Sequence, residues 1–75
     1  MRSEDIRRVI LEEVSGQIHT HMSLWMAVKE KLPKNWRWET FKRWHQKMRS
    51  EKLLGITMAG GVTITEEGKR RMKRV

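Results

Sequence analysis

The chain has 75 residues, 17 lysines and arginines against 9 aspartates and glutamates, a net charge of +8, and no cysteine. That length implies one small domain, residues 1–75, near the lower limit at which a single apolar core holds a fold. Disulfides and thiolate metal centres are excluded. No apolar run approaches the ~20 residues of a bilayer span, and Met1-Arg2-Ser3-Glu4-Asp5 lacks the apolar stretch of a signal peptide. The expectation is a soluble cytoplasmic protein.

Ser3 offers a cap for a first helix, with Glu4 and Asp5 at its positive end. Ile6, Val9, Ile10 and Val14 recur at helical spacing, and Gly16 is a stop. This rotation puts Arg7, Arg8, Glu12 and Glu13 toward solvent. Gln17 to Met22, with β-branched Ile18 and Thr20, predicts a short first strand. Ser23, with Thr20 as the alternative, caps a second helix running to about Leu32, on which Trp25, Val28 and Leu32 share a face. Pro33 ends it, because the residue before a proline is pushed out of the helical region.

Asn35 then caps a third helix over about residues 36–52. At ~100° per residue, Trp38, Trp44, His45 and Met48 fall within about 60° of Phe41. The opposite face holds Glu39, Arg43, Gln46, Lys47 and Ser50, with Thr40 and Lys42 at its margins. Trp36, on the same helix, points outward. Charge follows this division. Residues 34–52 carry seven cations against two carboxylates, whereas residues 1–16 carry three against four. Such a basic face is the footprint of a phosphate-backbone binder.

The run Leu53 to Thr65 reads as a β-hairpin. A three-residue turn, Ala59-Gly60-Gly61, pairs Met58 with Val62, Thr57 with Thr63 and Ile56 with Ile64, and it keeps one face apolar. Gly61 is then the left-handed residue. Thr65 caps a last helix with Glu66 and Glu67 in its first turn; Lys69, Arg70, Arg71, Lys73 and Arg74 lie toward its negative end.

In this order of elements, two stretches carry a likeness. Thr40-Phe41-Lys42-Arg43-Trp44 with Met48 and Leu53-Leu54 looks like a recognition helix running into a wing strand. Thr63-Ile64-Thr65-Glu66-Glu67-Gly68-Lys69-Arg70 looks like the returning strand and capped helix. The chain resembles the winged helix-turn-helix superfamily of DNA-binding proteins. The fold implied is α+β: three helices, a small antiparallel sheet with a wing hairpin, and a short basic C-terminal helix. The resemblance also implies that helix 3 lies in the major groove of double-stranded DNA, braced by helix 2. Two features depart from the family: a long turn bearing Trp36, and a wing tip, Ala59-Gly60-Gly61, without a cation.

Arg43 is the foremost base-reading residue, since its position on the outward face suits a bidentate bond to guanine. Gln46 is a reader of adenine, and Glu39 either accepts from cytosine or pairs with Arg43 along the helix. Thr40, Lys42, Lys47, Arg37 and Lys34 are assigned to phosphates. Trp25, Trp38 and Trp44 are expected in the core. His19, His21 and His45 fall short of the converging ligands zinc requires, and no nucleophile–base pair or phosphate loop occurs. The expectation is no metal, no cofactor and no enzymatic activity. Beside a small DNA-binding regulator stand three alternatives: a protein-interaction adaptor, an architectural or recombination-directing factor, and an RNA binder using the basic tail. A homodimer or partner protein would widen the few base pairs so small a domain covers, with helix 1 the surface for self-association.

Overall fold

The computed structural model describes residues 2–73; Arg74 of the expected C-terminal cation run lies outside them. Four helices and one hairpin follow in order: α1 Ser3–Gly16, α2 His21–Val28, α3 Trp38–Ser50, β1 Leu54–Ile56, β2 Val62–Ile64 and α4 Glu66–Lys73. The protein is a small α+β domain. α1 is its central strut, packing on α2, on α4 and on β2, while α3 packs on β1. Ile6, Ile10, Leu11 and Val14 of α1 meet Leu24, Val28, Phe41, Met48, Leu53 and Val62 in one buried core.

Several helix ends differ from the sequence reading. Ser3 is the first helical residue of α1, not its cap; Arg2 holds the cap position and its N–H donates to the Asp5 carboxylate at 3.3 Å. Thr20, the alternative, caps α2 by accepting the Ser23 N–H at 3.2 Å. The expected strand over Gln17–Met22 shrinks to a single bridge, His19 with Val62, because helix begins at His21. α2 stops at Val28, short of Leu32. The Lys31 N–H bonds the Val28 carbonyl at 2.8 Å, a tighter turn that leads to Leu32, which is buried in the core.

Asn35 is an exposed turn residue, and Arg37 caps α3 without a side-chain bond. Trp36 therefore lies outside the helix and does not point outward as expected. It is half-buried, stacked on Trp44 at 6.1 Å between ring centres. A side-chain cap stabilises by about 1 kcal/mol, whereas burying an indole against another aromatic contributes more. α3 is closed off by Lys52, two residues past its end, whose φ of +65° allows the Lys52 and Leu53 N–H groups to bond the Arg49 and Met48 carbonyls, each at 3.0 Å. That left-handed position is usually glycine.

The hairpin is slipped by two relative to the expected register: Leu54 pairs with Ile64, Gly55 with Thr63 and Ile56 with Val62. The turn is still a three-residue one, but it is Met58-Ala59-Gly60. Thr57 N–H donates to the Gly61 carbonyl at 2.8 Å and Gly60 N–H to the Thr57 carbonyl at 2.9 Å. Gly60, not Gly61, has the positive φ, +86°. Gly61 is buried at the foot of the loop instead, where a Cβ would meet the Ile18 side chain at 2.6 Å. Slipping by two preserves which residues share a face, so parity alone does not choose between the registers. Met58, expected on the apolar face, becomes the fully exposed tip.

Candidate nucleic-acid interface

α3 is fixed from behind. Phe41 and Met48 are fully buried, with Trp38 and Trp44 packed half-buried at their sides, and Trp25 lies 5.2 Å from Phe41 between ring centres. Since α-helical side chains at i, i+3, i+4 and i+7 share a face, this anchoring sets what the opposite face presents. Glu39, Lys42, Arg43, Gln46, Lys47, Arg49 and Ser50 are all exposed, and so are Lys34 and Arg37 on the approach to the helix; Thr40 is half-buried. The expected arc is therefore brought together on one side. Arg49 was missed, although it stands seven residues after Lys42 and so lies almost directly below it.

Ion pairing divides the molecule. Among the described residues, the lysines and arginines in ion pairs belong to α1 and α4: Arg7, Lys69, Arg70 and Arg71. The nine cations from Lys29 to Lys52 make none among the described residues, and Glu39 forms no pair with Arg43. Glu51 on the same segment is consumed by Arg7. That arginine, expected in solvent, is only 7% exposed and clamps Glu51 through Nε at 3.0 Å and Nη2 at 2.7 Å. Each partner stabilises the charge of the other, so the Glu51 pKa lies below and the Arg7 pKa above its ordinary value. The Arg7 guanidinium also lies 5.2 Å from the Trp44 ring centre, and the Lys47 ammonium sits 4.8 Å from it. Lys47 thus leans on Trp44, with its charge still exposed.

No family model, curated protein or solved structure matches the chain. Its chemistry rests on its own residues.

The histidines separate. His19 is buried and bonded at both ring nitrogens, Nδ1 with the Ser23 hydroxyl at 2.9 Å and Nε2 with the Glu13 carboxylate at 3.0 Å. Glu13 thereby leaves the solvent side the helical rotation gave it. His21, exposed at the start of α2, meets the His45 ring edge-on at 4.3 Å between centres. Among the described residues no three His, Asp or Glu side chains converge as metal ligands, and no helix is long and apolar enough to cross a membrane. Of the expected tip residues, Ala59 and Gly60 are exposed, while Gly61 is buried against Ile18.

Proposed function

We propose that this chain is a winged helix-turn-helix protein that binds double-stranded DNA with sequence preference, as a small transcription regulator. α3 enters the major groove, α2 braces it, and the β1–β2 hairpin is the wing. One observation carries the reading: the outward face of α3 holds cations that make no ion pair among the described residues, with amide and carboxylate side chains beside them, while its inward face is locked into the core. Long-range attraction comes from the excess of unpaired cations over residues 29–52, and base discrimination from Arg43, Gln46 and Glu39. The tip Met58-Ala59-Gly60 has no charge, so α3 and not the wing does the reading. Such binding needs neither a cofactor nor an enzymatic step.

Selection from a random duplex library tests this directly. The expected result is an enriched motif bound with a steep salt dependence, as when several phosphates are neutralised. Arg43→Ala should weaken the enriched site by about 1–3 kcal/mol and relax one base position. An unchanged motif would remove α3 as the reader. The exposed side chains of Met22 and Met26, one turn apart on α2, favour an adaptor as the second reading. An adaptor shows no shift with any duplex even at ~50 mM salt. Footprint length and bend angle separate a simple regulator from an architectural factor.

A further inference from the structure

The turn between α2 and α3 leaves aromatic surface uncovered. The Trp36 backbone N–H donates to the Pro33 carbonyl at 3.0 Å, and this tight turn carries the indole back onto Trp44. Trp25 of α2 rests on Phe41. Each indole is thus held by another ring, yet both stay half-buried, and with Pro33 they line an open groove of about 350 Å³. Clefts that take ligands span about 300–1,000 Å³. Lys29, Glu30 and Lys34, all exposed, complete the lining, and none of the three makes an ion pair among the described residues. Lys31 and Arg37 are exposed beside them, so residues 29–37 present four cations against one carboxylate. Met22 and Met26 of α2, exposed and one turn apart, extend the apolar surface toward the start of the helix.

We propose that this groove docks a short acidic segment of a partner protein, with an apolar side chain against Trp25, Pro33 and Trp36 and carboxylates on Lys29 and Lys34. The proposal goes beyond duplex binding and does not rest on it. Charge complementarity selects the occupant. A second copy of the chain brings the same net charge of +8 and is repelled. A duplex satisfies lysines through its phosphates but keeps its bases stacked inside, and so leaves the indoles bare. A segment that is both apolar and anionic uses the walls and the rim together. Tryptophan is enriched among the residues that dominate protein interfaces, because it offers a large contact area for little lost freedom. Here both rings are already held in place, so docking orders little of the receiving surface. Lys34 is shared with the proposed duplex contact, and a docked carboxylate and a phosphate exclude each other there.

The experiment uses the full chain, without DNA, and a displayed library of random peptides of about twelve residues, long enough when extended to cross the domain. Enriched peptides should share an aromatic residue or leucine flanked by aspartate or glutamate. The tightest of them, labelled with fluorescein, is then titrated by anisotropy. Lys29→Glu should weaken it about tenfold, because a surface attraction becomes a repulsion of like size. Lys69→Glu makes the same change of charge on α4 and should stay within about twofold. Both variants alter exposed side chains, and their folding is checked by circular dichroism. Replacing the peptide's apolar anchor by alanine should weaken binding about tenfold. The indole N–H resonances of Trp25 and Trp36 should move on adding the peptide. Enrichment of basic or uncharged peptides, or of none, would overturn the proposal. So would equal weakening by Lys29→Glu and Lys69→Glu, an alanine-anchored peptide that binds as before, or still Trp25 and Trp36 resonances. A thymine-only single strand that moves those resonances, where the library enriches no acidic peptide, would make the occupant a nucleic acid stacking on the indoles. A dimer in sedimentation that Lys29→Glu abolishes would make it a second copy. The duplex selection is read separately, so either proposal can fall alone.

Discussion

His45 shows how a single side chain ties stability to acidity. Its native pKa of about 4 lies below the ordinary 6.5, so the unfolded chain binds the proton more tightly. Stability from this group is fully present above pH 6.5 and is lost as pH falls toward 4, to a total of about 3 kcal/mol. Urea midpoints should fall over that window, and His45→Gln should flatten the decline; an equal decline in the variant would assign it elsewhere. The Glu51 carboxylate, whose pKa is lowered chiefly by the Arg7 hydrogen bond, acts only below pH 4.5, so the two contributions separate. Arg7→Ala should cost about 2–4 kcal/mol, since it strands Glu51 and uncovers Trp44, and Arg7→Met should recover part of it through the stem. A loss under about 1 kcal/mol would make the pair an ordinary surface one. The helical rotation of α1 put Arg7 in solvent because charge was read as exposure. Its partner, Glu51, is 44 residues away, and no local pattern announces that pairing.

At the scale of elements, periodicity made legible the order of four helices and a hairpin, but not their ends. Some errors are local choices between neighbouring caps, as where Thr20 and not Ser23 caps α2; others occur where tertiary packing overrides a local signal, as where Trp36 leaves α3 to stack on Trp44. Glycines show the same dependence on context. Both Gly16 and Gly68 are helical, and alanine is intrinsically better in a helix by about 1 kcal/mol. At Gly16 a Cβ meets nothing within 4 Å, so Gly16→Ala should stabilise by about 0.5–1 kcal/mol. At Gly68 a Cβ would overlap the Leu53 carbonyl and press on Ile64 at 2.8 Å, where α4 crosses the entry to β1. Gly68→Ala should therefore reverse the sign and destabilise by about 1–3 kcal/mol. Lys52 presents the converse case. Its left-handed φ closes the last turn of α3, so Lys52→Gly should raise stability by about 1 kcal/mol. Thermal melts of the three variants check these signs.

Across the whole molecule, charge is sorted by partner more than by number. Three of the four cations of α4 are tied down, Lys69 to Glu66, Arg70 to Glu67 and Arg71 to Glu4 of α1, and the last of these bonds joins the two helices. Arg37, Arg43 and Lys34 have no such tie among the described residues. The outward arc of α3 was legible in the sequence, because Phe41 alone sets the helix rotation. The flank holding Arg49 beside the buried His45 ring was not, since it exists only where His21, at the start of α2, meets His45 of α3. Under the proposed duplex contact this sorting has a measurable consequence. Arg37→Ala or Lys34→Ala should lower the slope of log affinity against log salt by about 0.9 each and weaken all sequences alike. Arg43→Ala should also change the preferred sequence. Lys69→Ala and Arg70→Ala remove the same formal charge from α4, yet they should leave slope and preference unchanged. Because the net charge falls by one in every case, equal slopes across the set would mean that the chain binds duplex through a diffuse positive field and not through α3.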